Sequence, residues 1–295
     1  MSARFLTVVL ERAFNMRDGF GREIDYMRIS VIDSCNLNCY YCNPCDNNEH
    51  CHALNILSVK EVLCIVRAAT RLGIKHFRLT GGEPLLHPQL DEMVLQIKKI
   101  PGVSSVSLTT NAVLLAQHAK WLKEAGIDSI NVSLDTIDAS EYERITKKPL
   151  LEEVKHGINA AIECGIRVKI NVVLTPQTDV VALTRYVAKK GTDIRFIEMM
   201  PVGEGHTNGV EPYKKVIGTL SKLYGEPCRI NTEKTKEINS GNDKRKIPDN
   251  GPAEYYIFPE LGIRVGLIQA IHGKFCDTCN RIRVTADGRL MPCLG

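Results

Sequence analysis

A chain of 295 residues, 44% apolar and 24% charged, has the composition of a folded globular protein and is long enough to bury a core without disulfide staples. A net charge of only +4 argues against a nucleic-acid partner, and no apolar run approaches the ~20 residues a membrane span needs. The N-terminus lacks a signal-peptide core and cleavage site, so a cytoplasmic location is expected, where clustered cysteines bind metal more readily than they pair.

After an N-terminal segment over 1–25, short β-rich runs alternate with amphipathic stretches. Strands are predicted over 26–33, 74–79, 104–109, 127–134, 168–174 and 194–198, and helices over 59–72, 89–99, 114–125, 151–164 and 180–189. Such alternation implies a parallel sheet with helical crossovers. A curved partial barrel and an open doubly wound sheet both satisfy it. The barrel is preferred because polar residues recur at the carboxyl ends of the strands, where barrel enzymes keep their sites. The fold class is therefore α/β: a partial, TIM-like (β/α)6 barrel over 26–210 with a small C-terminal extension over 211–295. In that extension 201–209 reads as a loop, 212–224 as a helix and 231–251 as a polar, Lys-rich excursion. Strands follow over 254–258, 262–268 and 281–285, the last turning at Asp287-Gly288 into 289–291.

Six of eleven cysteines fall into two triplets, Cys35-x3-Cys39-x2-Cys42 just after the first strand and Cys276-x2-Cys279-x13-Cys293 near the end. Three thiolates on a four-iron cubane leave one iron open to a small molecule. A zinc site built from Cys42 and Cys45 with Cys51, His50 or His52 competes for the first triplet. Thr80-Gly81-Gly82-Glu83-Pro84 ends the second strand, and its paired glycines let a ligand approach the backbone. Cys64 and Cys164 fall in helical patterns and read as small buried hydrophobes. Cys45, Cys51 and Cys228 receive no role, and Cys45 and Cys51 are expected to be exposed.

The first triplet together with Gly-Gly-Glu-Pro resembles the radical S-adenosylmethionine (SAM) superfamily. The resemblance implies a partial (β/α) barrel and a cluster that binds the amino and carboxylate groups of SAM. Reductive cleavage of SAM then yields a 5′-deoxyadenosyl radical that takes hydrogen from a substrate. The second triplet narrows the match. With Cys279-Asn-Arg281-Ile282-Arg283, and with Leu-Thr-Thr-Asn at 108–111, Ile-Asn-Val-Ser-Leu-Asp at 130–135 and Ile-Arg-Phe-Ile-Glu-Met-Met at 194–200, the chain resembles the GTP 3′,8-cyclase family of molybdenum-cofactor biosynthesis from Asp18 to Gly295.

That resemblance implies two 4Fe–4S clusters, on Cys35, Cys39 and Cys42 and on Cys276, Cys279 and Cys293. SAM contacts carry over to Tyr41, Gly82, Ser133 and Met200, and GTP contacts to Arg28, Arg78, Thr109, Lys169, Arg281, Ile282 and Arg283. No side chain is cast as catalytic, because SAM carries the radical. A reductant protein and a downstream cyclic pyranopterin monophosphate synthase are the implied partners, and a homodimer is compatible. The residue chemistry agrees with a triphosphate, which Arg and Lys at several strand ends could clamp. Internal ion pairs of Arg28, Arg78 or Lys169 with Asp33, Glu83 or Glu198 are the competing reading. Family members continue several dozen residues past the third C-terminal cysteine to a Gly-Gly tail, whereas Cys293 precedes only Leu294 and Gly295 here. Ala112 follows Thr-Thr-Asn where the family commonly has Gly, an expected restriction on that turn. Another substrate, such as a peptide, or an inactive cluster-binding homologue is the alternative to GTP cyclisation.

Overall fold

The computed structural model describes residues 16–42, 55–200, 210–230 and 251–293. The expected loop at 201–209, nearly all of the 231–251 excursion, and Cys45, His50, Cys51 and His52 lie outside the described residues.

Six parallel strands, β1 (Tyr26–Ser30), β2 (His76–Thr80), β3 (Ser105–Thr110), β4 (Ser129–Ser133), β5 (Val168–Leu174) and β6 (Asp193–Glu198), stand side by side in sequence order. Consecutive order is that of a barrel, since a doubly wound sheet reverses direction midway. The crossovers carry helices α1 (Val59–Arg71), α2 (Leu90–Lys98), α3 (Leu115–Glu124), α4 (Ala139–Thr146), α5 (Leu151–Glu163) and α6 (Val180–Lys189). α1 shows why such a stretch folds: Val59, Val62, Val66 and Ala69 make one buried stripe. Ser58 and Glu61 exchange hydrogen bonds at its start, Glu61 N donating to Ser58 Oγ and Ser58 N to Glu61 Oε2 at 2.8 Å. Cys64 falls off that stripe and is exposed, which corrects the reading of it as buried, while Cys164 is half-buried against the core.

The chain then returns to the same sheet. After a π-helical turn at Tyr213–Ile217 and α7 (Gly218–Tyr224), strands β7 (Cys228–Ile230), β8 (Glu254–Ile257) and β9 (Arg264–Ile268) extend the β6 edge, with β9 parallel to β6. β10 (Arg281–Val284) lies parallel to β1 on the other edge, and β11 (Leu290–Met291) folds back antiparallel on β10. Among the described residues this makes one sheet of eleven strands, in the order β11-β10-β1-β2-β3-β4-β5-β6-β9-β8-β7. No helix among them is long and apolar enough to cross a membrane.

Candidate active site

Alternation along each strand separates core from cavity. Met27, Ile29, Phe77 and Leu79 pack in the core, at 5% exposure or less, while Tyr26, Arg28, His76 and Arg78 occupy the intervening positions and line a cavity of about 800 Å³. The parallel register sets Arg283 beside Arg28 and Arg28 beside Arg78, three guanidinium-bearing positions on adjacent strands. Burial, aided by repulsion from Arg78 and Arg283, depresses Arg28 to about 9. Its Nε is buried without a partner among the described residues, as is that of Arg281, another wall residue. Arg78 donates through Nε to the Tyr26 hydroxyl and through Nη1 to Thr109 Oγ1 at 3.2 Å.

Among the described residues no carboxylate forms an ion pair with Arg28, Arg78, Arg281 or Arg283. The carboxylates that could have done so are engaged elsewhere. Asp33 accepts from Asn55 Nδ2 at 2.8 Å. Glu83 accepts from Thr110 Oγ1 and Asn111 N, both at 2.7 Å, and from Leu85 N at 3.0 Å. Glu198 accepts from Ile271 N at 2.7 Å and from the His272 ring. A set of mutually repelling cations, Arg78 buried and the other three half-buried, is suited to a multivalent anion.

The first cysteine loop leaves the carboxyl end of β1 and is gripped on two sides. Gly82 N donates to Ile32 O and Glu83 N to Ser34 O, each at 2.8 Å. Only glycine permits that approach, since a Cβ on Gly82 would stand 2.2 Å from Ser34 O. From the other side, Asn38 N donates to Thr146 O at 3.0 Å, Tyr40 N to Ile145 O at 3.1 Å, and the Tyr41 hydroxyl to Asp135. Asp135 also accepts from Val173 N at 2.7 Å, and burial raises it to about 6.

Cys35, Cys39 and Cys42 all line the cavity. Burial raises all three thiols, Cys39 to about 12, so the thiolates form when a metal takes up their charge. Among the described residues no three Cys, His, Asp or Glu groups converge on a single-ion site. Three thiols presented by one loop to one cavity are the donor set of a polynuclear cluster, and Leu37 N already points at Cys35 Sγ, 3.5 Å away.

The second triplet is assembled by a hairpin. Cys276–Thr278 form a 3-10 turn leading through Cys279 into β10. The turn at Asp287-Gly288, with Gly288 at φ 83°, then sends β11 back along β10. Met291 pairs with Arg283, so Cys293 returns toward the start of β10 and Cys279. Arg22 Nη1 holds the turn through Cys276 O at 2.6 Å. Because β10 is parallel to β1, Cys276 and Cys279 flank its amino end, whereas the first triplet follows the carboxyl end of β1. The triplets thus stand at opposite ends of the strands whose arginines lie between.

Tyr41, Gly82, Ser133, Arg28, Arg78, Thr109, Lys169 and Arg281 line the cavity together with the first triplet. Met200, Ile282, Arg283 and the second triplet are not among the residues lining it. Asp135, Asn111 and Arg167 line it as well, and the sequence reading gave them no role. Their signal was the alternation itself, as in Ser-Val-Ser-Leu-Thr-Thr of β3, whose first, third and fifth residues all reach the cavity.

Comparison with known proteins accords with this geometry. Residues 29–183 match the family profile of the Radical SAM superfamily, and 192–295 that of Molybdenum Cofactor Synthesis C. A GTP 3′,8-cyclase of Clostridium perfringens is 37% identical over 282 residues, covering 95% of this chain and 83% of the relative. One from Pelotomaculum thermopropionicum is 38% identical over 286 residues, covering 95% and 84%. Among solved structures, Streptococcus suis SuiB bound to S-adenosylmethionine superposes with a TM-score of 0.64 at 15% identity. That match covers 92% of this chain and 60% of SuiB's length. Methylornithine synthase superposes at 0.54 with 17% identity, covering 77% of this chain and 70% of that one. The two structural likenesses bear on the fold alone. From the profiles and the sequence relatives, this chain belongs to the GTP 3′,8-cyclase family of the radical SAM superfamily.

Proposed function

We propose that this protein converts GTP to (8S)-3′,8-cyclo-7,8-dihydroguanosine 5′-triphosphate in molybdenum cofactor biosynthesis, as a radical SAM lyase. The observation that carries the reading is the row of Arg283, Arg28 and Arg78, without a carboxylate partner among the described residues, between two cysteine triplets. Cys35, Cys39 and Cys42 would hold one 4Fe–4S cluster, and Cys276, Cys279 and Cys293 the other. When bound, the first cluster supplies the electron that splits SAM and so creates the hydrogen-abstracting species.

The chain's own residues bind, orient and shield. Tyr41, Gly82, Ser133 and Met200 would contact SAM. All four follow or end a strand at the carboxyl side, and Met200 stands two residues past β6. Arg28, Arg78, Thr109, Lys169, Arg281, Ile282 and Arg283 would contact GTP, the cations neutralising its phosphates and the enclosing wall excluding water. We assign no side chain a proton-transfer role.

In the same reading 1–25 is an N-terminal segment, 26–210 the barrel, and 211–295 the region bearing the second cluster site. A reductant protein supplies electrons, a cyclic pyranopterin monophosphate synthase takes the product, and the protein works in the cytoplasm, with a homodimer compatible. The test is anaerobic incubation of cluster-loaded protein with SAM, reductant and GTP, with products measured by mass spectrometry. Cyclised GTP formed alongside 5′-deoxyadenosine is expected. Deoxyadenosine formed with GTP left unchanged would overturn the choice of substrate.

A further inference from the structure

The cationic row does not stop at β2. Arg78 pairs in register with Ser107, and Ser107 with Ser129. Ile130 N donates to Arg167 O at 2.9 Å, so Arg167, immediately before β5, continues the row opposite Ser129. Four arginines thus share one lateral line of the sheet, with two serines between the third and the fourth. Arg167 lines the cavity near the amino ends of the strands, together with His76, Ser105 and Ser129.

Its chemistry is unspent. Arg167 Nη2 is buried and has no hydrogen-bond partner among the described residues. Asp128, the carboxylate beside Ser129 and itself in the wall, is held by Lys98 Nζ at 2.9 Å and by Val106 N at 2.6 Å. An arginine that is merely structural would close on such a carboxylate, because a buried charged donor left unmet is costly. A side chain two residues before Lys169, on the same face of β5, instead adds donors to a wall already built for an anion.

We infer that Arg167 is a further substrate-binding residue, which contacts the phosphate chain of the nucleoside triphosphate and so helps the site distinguish a triphosphate from a monophosphate. This rests on the GTP reading given above. Removing the guanidinium deletes charge-assisted hydrogen bonds to phosphate and should weaken GTP binding roughly 10- to 100-fold. Binding of GMP, which lacks the outer phosphates, should change less than about twofold on the same argument.

The experiment measures equilibrium binding of GTP, GMP and SAM to the cluster-loaded full chain, comparing the parent with Arg167→Gln and Arg167→Lys. The expected result is a selective loss of GTP affinity in the glutamine variant, an intermediate loss in the lysine variant, and SAM affinity unchanged in both. Unchanged GTP affinity, or equal losses for GTP and GMP, would overturn the inference. Should the glutamine variant fail to fold, the lysine variant decides by the same comparison. Failure of the parent itself to bind GTP would strike the underlying substrate reading instead, a result separable from the others.

Discussion

Replacing Gly82 with alanine should detach the first cysteine loop from the barrel. The added Cβ would meet only backbone: Ser34 O at 2.2 Å, Asp33 O at 2.4 Å and Ser34 C at 2.5 Å. None of these can rotate away as a side-chain tip could, so the two segments must part by about 1 Å to reach ordinary contact. That separation breaks the bonds from Gly82 N to Ile32 O and from Glu83 N to Ser34 O. Two backbone bonds left unmet cost about 2–5 kcal/mol, a Tm loss of roughly 3–8 °C for a chain of this size. Because Ser34 directly precedes Cys35, the thiol moves with it. Gly157→Ala is the matched control, since its Cβ would meet Ala112 O at 2.4 Å and Leu115 Cβ at 3.0 Å, at the contact between α5 and α3. Both variants should melt early, but only Gly82→Ala should retain about half the parental iron after anaerobic reconstitution, in keeping with two clusters. Equal iron in the two variants would refute the reasoning.

Two further outcomes follow from the buried charges. Arg28→Met should raise the Tm of ligand-free protein while abolishing the stabilisation that GTP gives. A base depressed from 12.5 to about 9 destabilises the fold wherever it is charged, by a few kcal/mol on an order-of-magnitude basis. Thermal melts with and without GTP check this, and a variant less stable than the parent would contradict it. Glu83 is shifted the other way, raised by burial from 4.5 to about 7. Its stabilising contribution is full below about pH 4.5, where both states are protonated, and is lost as pH rises through about 7. Ligand-free protein should therefore lose on the order of 3 kcal/mol across that window, and Glu83→Gln should flatten this part of the curve in pH-dependent melts.

The six barrel strands were legible because each sets buried apolar residues at alternate positions between clear punctuation, and Val168–Leu174 keeps the predicted bounds unchanged. α4 was missed: only Tyr142, Ile145 and Thr146 of its eight residues are buried, too little apolar periodicity to register. A cue was present in Asp138 and Glu141, three residues apart, with the Asp138 carboxylate capping Glu141 N at 2.8 Å. The cysteine triplets announced metal from spacing alone. Which strand lies beside which is a different matter, since nothing in the pattern of 281–285 says that it pairs with β1, on the opposite flank from β9. That pairing is what aligns Arg283 with Arg28, so the charge row could not be read from the chain. The expected restriction at Ala112 has a concrete form, a left-handed φ of 66° at a fully buried alanine.

The placement of β10 has a consequence for biogenesis. Asn280 Nδ2 bonds Asp25 Oδ1 across 255 positions of sequence, and β10 docks beside β1 just after it. During synthesis β1 therefore waits with a bare hydrogen-bonding edge until residues 281–284, about 250 positions later, have left the ribosome. Closure over so long a loop is slow, and the exposed edge invites pairing with other nascent chains. Fragments ending before residue 281 would keep that edge permanently, and they should aggregate rather than persist as a smaller soluble barrel.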